Sequence, residues 1–163
     1  MFGKLLLMGI MLVQHHVCAW NPVGGQIKTP WAEQVTSENV WQSYPRPRLR
    51  RSEWMDLNGL WQYAVTPLET SKKSVEFDKE ILVPFAIESS LSGVQQKFLP
   101  SDRLWYRKEF SLDRSWKGRR IILHFGAVDY ECKVWLNNRL VGSHKGGNNP
   151  CLLYTSPSPR DRG

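Results

Sequence analysis

Acids, histidines, serines, a cysteine and a run of arginines are the residues that could do chemistry in this chain, and their spacing limits what that chemistry is. Asp129 and Glu131 lie two apart, so a continuous strand would place both carboxylates on one face, as paired acid/base work requires. Two exposed acids at the start of a strand are the commoner meaning of that spacing. Glu88 and Asp102 sit in or beside a long polar segment, where binding residues tend to lie. His124 and His144 each lack a second His, Asp or Glu at ligand spacing, so no metal site and no cofactor are expected. Gly146-Gly147 follows a hairpin pattern instead of opening a helix, which excludes a phosphate loop. Ser89, Ser90 and Ser92 have no nucleophile elbow around them.

The arginines are concentrated in YPRPRLRRSEW, where Arg46, Arg48, Arg50 and Arg51 alternate with Pro45, Pro47 and Leu49. Such a run can be an electrostatic footprint for nucleic acid or an acidic polysaccharide. No compact basic helix or RNA-binding motif accompanies it, so a solvated entry strand is the preferred reading and no nucleic-acid partner is expected. Eight tryptophans are a heavy load for 163 residues, and flat rings with one polar edge serve either as core anchors or as platforms for sugar rings. Trp61, Trp105 and Trp135 fall within predicted strands. Trp105 shares its side with charged residues, so packing against another domain and sugar binding are equal alternatives there, with a structural role preferred for any one tryptophan.

The elements that must position these groups are strands. Leu60 to Val65 follows the Asn58-Gly59 turn pair, and Ile81 to Phe85 is a short apolar strand. Pro84 has no N–H for a ladder, so that segment belongs at an edge, a strand end or a bulge. Arg103 to Leu112 alternates, with Leu104, Tyr106, Phe110 and Leu112 on one face. Ile121, Leu123 and Phe125, then Val134 and Leu136, mark a strand pair with an apolar core face. Asn137-Asn138 supplies the positive φ angles that a type I′ hairpin needs. Short strands, frequent turns and no useful helical period indicate an all-β sandwich.

Both ends differ from this middle. Residues 1–19 carry one positive charge at Lys4, an apolar run from Leu5 to Val13 and the small-residue close Val17-Cys18-Ala19, the order of a secretory signal cut after Ala19. The run is too short for a membrane anchor, so a secreted or periplasmic location with no membrane partner after cleavage is expected. Residues 20–43 read as an extended polar arm. Between Trp20 and Pro150, Cys132 is the sole cysteine; it lies on the predicted inner face of its strand, as an inert core thiol does, and no disulfide framework is possible there. From Cys151 the sequence CLLYTSPSPRDRG loses the strand alternation and resembles the translation of a transposase adapter used in sequencing libraries. Residues 151–163 are therefore expected to be non-native.

Four segments in order, LNGLWQYAV, ILVPFAIESSLSGV, RLWYRKEF and WKGRRIILHFGAVDYECKVWLNNRLVGSHKGG, resemble the N-terminal domain of glycoside hydrolase family 2, the group of β-galactosidases, β-glucuronidases and β-mannosidases. The resemblance covers residues 44–150. It implies a jelly-roll, galactose-binding-like β-sandwich, incomplete at its C-terminal end, with a carbohydrate as ligand. It implies as partners an immunoglobulin-like domain and a (β/α)₈ barrel of the same polypeptide, the barrel carrying two glutamates for retaining hydrolysis. Those glutamates match no position here, so Glu88, Glu109 and Glu131 take neither role and no residue of the chain is catalytic. In some members a loop of this domain reaches the active site, and the corresponding sugar-binding candidates are Asp102 and Arg103 beside Ser101. The expected parent is an exported glycosidase, β-galactosidase-like in the first instance. A free-standing carbohydrate-binding module and a binder of anionic polymers through Arg46–Arg51 are the other two readings. Genomic DNA read past Pro150 is expected not to encode CLLYTSPSPRD; a genomic frame that did would overturn the adapter origin.

Overall fold

The computed structural model describes residues 20–25, 28–43, 51–147 and 150–154. The expected leader, Arg46, Arg48 and Arg50, and residues 155–163 lie outside the described residues. The fold is all-β, of the jelly-roll sandwich class, with β1 (Gly59–Pro67), β2 (Lys79–Val83), β3 (Asp102–Arg107), β4 (Ile122–Phe125), β5 (Glu131–Leu136), β6 (Arg139–Lys145) and β7 (Cys151–Tyr154) joined by loops and short 3₁₀ turns. The chain divides into one compact unit ending at Glu109 and a second beginning at Phe110.

In the first unit β1 is central and antiparallel to both neighbours, in the order β2-β1-β3. Tyr63 faces Lys79 on one side and Tyr106 on the other, and Ala64 faces Trp105. As expected, β2 is an edge strand and Pro84 follows its last residue. One face of the sheet carries the core: Tyr63, Ile81 and Ile87 are buried, with Trp61, Val65, Val83, Val94, Phe98 and Leu104 packed on them. The segment from Ile87 to Phe98 closes that face around Ser92, which is fully buried. The Ser92 hydroxyl lies 2.7 Å from the Ser89 carbonyl and 3.2 Å from that of Ile87, and it accepts the Val94 N–H at 3.0 Å. A buried hydroxyl is tolerated when it is satisfied in this way, so Ser92 is a loop pin and not a nucleophile.

The opposite face is buried too, which corrects two expectations. Leu82, Ala64 and Trp105 are buried there, although Trp105 keeps company with Arg103 and Arg107 on its strand. Ala64 leaves room for the indole, and the Trp105 Nε1–H donates to Thr66 Oγ1 at 2.9 Å, so ring and polar edge are both accommodated within this unit. The strand expected to reach Leu112 stops at Arg107, and Phe110 and Leu112 are exposed.

The arm is anchored and only partly extended. Pro30–Gln34 forms a 3₁₀ turn, and Ala32 and Val40 are buried. The Val23 N–H donates to the Ser90 carbonyl at 3.0 Å, and the Ser90 hydroxyl donates back to the Val23 carbonyl. Beside that clasp the Trp20 indole covers Gly93 so closely that a Cβ there would come within 2.7 Å of the ring.

In the second unit β5 and β6 form the expected hairpin, with Asn137 and Asn138 at φ 48° and 67°. Alternation holds from Glu131 to Val134 and fails after it, because the register shifts between Val134 and Trp135. Ile121, Leu123, Phe125, Val134 and Leu136 are half-buried, so the expected core of the strand pair is a partly covered face, and among the described residues the fully buried apolar side chains, Ile81 and Leu82, belong to β2. Past Pro150, where the sequence shows no alternation, Cys151–Tyr154 pairs with Ile122–Phe125 as β7. Backbone pairing needs only extended residues with free N–H and C=O groups, so the side-chain pattern gave no sign of it.

Gly93 has φ +79° as well as the Trp20 ring against it. Gly93→Ala is expected to cost about 1–3 kcal/mol in urea unfolding. In a double-mutant cycle with Trp20→Ala, only the contact part of that loss should return; a purely additive pair would show that the indole does not press on position 93.

Candidate functional site

Asp102 and Arg103 open β3 opposite Pro67 and Thr66 of β1. Successive residues of a strand project to opposite faces, so the two side chains do not converge on one point. Asp102 closes the turn before the strand. Its Oδ2 accepts the Leu99 N–H at 3.1 Å, its Oδ1 accepts the Ser101 hydroxyl at 3.3 Å, and its own N–H donates to the Leu99 carbonyl at 2.9 Å. Arg103 is exposed, with Nη1 3.5 Å from the Thr70 carbonyl and its guanidinium 5.6 Å from the centre of the Trp105 ring. The turn that holds the two residues is thus tied to the Thr66–Thr70 segment, and the Leu68 N–H donates to the Ser101 carbonyl at 3.2 Å.

The structure assembles a second polar group on the Arg103 face of the same sheet. Glu80, Gln62 and Arg107 are register partners across β2, β1 and β3, and with Leu60, Lys108 and Glu109 they line a shallow cleft of about 290 Å³. Arg107 Nε donates to Gln62 Oε1 at 2.7 Å while its guanidinium lies 4.5 Å from the Phe77 ring centre, and Lys108 Nζ donates to the Leu60 carbonyl at 2.7 Å. An amide, two carboxylates, a guanidinium and an ammonium offer donors and acceptors to a polyhydroxylated ligand. The sequence reading missed this group. Its sign was present in Gln62 of β1 and Arg107 of β3, but their alignment depends on a cross-strand register that one strand does not reveal.

The remaining candidates have local tasks. Asp129 lies outside β5 with its carboxylate at the Cα of Gly147, where a Cβ would meet it at 2.7 Å, and Glu131 pairs with Lys145 at 3.9 Å on the surface. The two acids therefore serve different contacts. Burial pushes the Cys132 thiol up, Cys151 adds to the push and the His144 backbone opposes it, so the thiol stays protonated and unreactive. His144 Nε2 lies 3.1 Å from the Gly146 carbonyl. Among the described residues no three His, Cys, Asp or Glu side chains are grouped to hold a metal ion. On the core face, Trp61 meets Tyr106 edge to face, with ring centres 6.3 Å apart. The Tyr106 phenol is pushed up to about 12, first by burial, then by the charge of Glu88 and by Tyr63; the Tyr63 phenol is raised by burial and by Asp78. Tyr106 is still 41% exposed, so solvent tempers this push without reversing it.

Residues 93–156 match the family described as glycosyl hydrolases family 2, sugar binding domain. The chain is 30% identical over 109 residues to a β-glucuronidase of Paenibacillus borealis, covering 64% of this chain and 18% of that protein. It is 46% identical over 46 residues to a β-galactosidase of Thermoanaerobacter pseudethanolicus, covering 28% of this chain and 6% of the relative. A β-glucuronidase of Streptococcus agalactiae is 24% identical over 95 residues, with 58% and 16% covered. The chain thus spans less than a fifth of the length of these relatives.

Raised phenol values give a pH dependence with a definite sign. The contribution of protonated Tyr63 and Tyr106 is complete below the ordinary tyrosine value of 10.0 and is lost above it as each phenol ionises, for Tyr106 as pH climbs through about 12. Tyr106→Phe is expected to flatten the fall in thermal stability across that window and to remove one late-titrating phenol from the ultraviolet titration. An unchanged titration would show that Tyr106 ionises as it does in water.

Proposed function

Because the chain carries the sugar-binding domain of glycosyl hydrolases family 2, we propose that it is the leading, non-catalytic part of an exported retaining β-glycosidase. The observation that carries this reading is the family match over residues 93–156, together with glycosidase relatives several times longer than the chain. Retaining hydrolysis needs two carboxyl groups about 5–5.5 Å apart, one as acid/base and one as nucleophile. In this reading they belong to a downstream barrel. The chain contributes recognition of sugar hydroxyls, by the polar groups of the cleft at Gln62, Glu80 and Arg107 and by the Asp102–Arg103 turn, which adjoins the barrel's sugar site in the assembled protein.

β-Galactosides are the first substrates of this reading. β-Glucuronides are the second, because β-glucuronidases and β-galactosidases occur alike among the relatives and Arg107 or Lys108 can pair with an acidic sugar beside Glu80 and Glu109. Residues 1–19 act as the export leader, leaving Trp20 as the first residue of the mature protein.

The intact protein is expected to turn over an aryl β-galactoside or an aryl β-glucuronide, and the 163-residue chain alone neither. Turnover by the chain above a heat-killed control would contradict the assignment of chemistry to a downstream domain. No turnover of either substrate by the intact protein would remove the glycosidase reading itself. Mass spectrometry of the exported protein should find Trp20 at its amino terminus.

A further inference from the structure

The arm before β1 holds two tryptophans in an arrangement that folding alone does not account for. Trp31 is 71% exposed and Trp41 is 70% exposed, each next in the chain to a residue that is almost completely buried, Ala32 and Val40. Hydrophobic burial would favour the reverse order. Trp41 also holds φ at 46°, a left-handed conformation that bulky residues avoid. Its carbonyl accepts the Asn58 Nδ2–H at 3.3 Å, which ties the strained residue to the entry of β1.

The segment between the two rings is rigid and polar. Asn39 Oδ1 accepts the Thr36 N–H at 2.7 Å, Asn39 Nδ2 donates to the Gln34 carbonyl at 2.7 Å, and Thr36 Oγ1 accepts the Asn39 N–H at 3.1 Å. Beside it lies a cleft of about 320 Å³ lined by Trp20, Asn21, Ala32, Glu33, Val35 and Thr36, among others. That volume is at the small end for ligand pockets, which run from roughly 300 Å³ upward. Trp20 contributes its ring to that lining, while its buried Nε1 is turned against Gly93.

We infer that the described part of the arm, residues 20–25 and 28–43, is a second carbohydrate site, one that takes neutral glycan chains by stacking sugar rings on Trp31 and Trp41 and hydrogen-bonding hydroxyls in the cleft of Asn21, Glu33 and Thr36. This rests on the sugar-directed reading given above and adds to it a site remote from chemistry. Exposed indoles on a backbone already fixed by hydrogen bonds offer apolar faces at little ordering cost. A protein-docking patch would have an apolar, charge-depleted centre, whereas here exposed Glu33, Gln34, Glu38 and Asn39 separate the rings. Glu33 and Glu38 against Lys28 leave the segment acidic, which selects neutral glycans over polyuronates. Strain at Trp41 is of the kind kept where function requires a side chain to stand in one place.

The test is affinity electrophoresis of the intact protein in gels containing galactomannan or polygalacturonate, with hydrolysis of an aryl β-galactoside and an aryl β-glucuronide and thermal unfolding measured alongside. Galactomannan should retard the wild type, and Trp31→Ala or Trp41→Ala should weaken that retardation at least fivefold with aryl-glycoside hydrolysis unchanged. Trp41→Gly should lose binding while keeping or raising the melting temperature, because glycine adopts the left-handed conformation freely. Three results would overturn the inference: retardation unaltered by the substitutions, stronger retardation by polygalacturonate, or melting temperatures that fall in Trp31→Ala and Trp41→Ala, the mark of a surface covered by protein. Loss of hydrolysis in the wild type with galactomannan binding intact would instead sink the glycosidase reading and leave the arm site standing.

Discussion

The first unit depends on β1 having no free side. Gly59–Pro67 is paired along both edges, with β2 and with β3, and side chains are buried on both of its faces. A strand in that position must satisfy its backbone through its neighbours and its side chains through two separate packings. Tyr63 serves the core face, Ala64 makes room for Trp105 on the other, and Gln62 accepts from Arg107 beside the polar cleft. The arm, the Ile87–Phe98 loop and the polar cleft are all arranged around a strand that cannot shift by one residue without reversing every one of these contacts.

Much of this was legible in the residues. Local signs were read correctly wherever a single turn or strand carries them: the Asn137-Asn138 hairpin, the strand after Gly59 and the edge position imposed by Pro84. Signs that depend on partners were not. Trp105 was placed on the right side of its strand but not in the interior, because the small Ala64 opposite it and the hydroxyl of Thr66 belong to another strand. The half-buried state of Val134 and Leu136 was equally hidden, since alternation states which side is apolar and not how deeply it is covered. The row Glu80–Gln62–Arg107 joins three segments and exists only in their register. Asp102 and Arg103 came from the family resemblance as residues of one loop, and strand geometry sends their side chains to opposite faces while the loop holds both.

Polar side chains of this chain are divided between closing turns and presenting open groups. Asp102, Asn39, Ser92 and Asp113 spend their hydrogen-bonding capacity on nearby backbone, and each fixes a turn that sequence pattern alone leaves loose. Gln62, Arg107 and Lys108 are also hydrogen-bonded, yet they line open space. Rings follow the same division. Trp61 and Trp105 donate their indole N–H groups to Leu57 and Thr66 and work inside the fold, whereas Trp31 and Trp41 face outward on the arm. A count of tryptophans could not have separated these two populations.

The seat of Trp20 on Gly93 has a consequence for how the two positions can vary together in descent. Position 93 is closed twice, by its left-handed backbone and by the ring above it, whereas position 20 is closed by neither. A smaller residue can replace Trp20 while glycine stays at 93, at the expense of an exposed patch on the loop. A side chain can arise at 93 only in a lineage where position 20 has already shrunk, and even then under backbone strain. Covariation between the two should accordingly be one-way: related chains would show many residues facing glycine, and almost none showing a tryptophan facing anything larger.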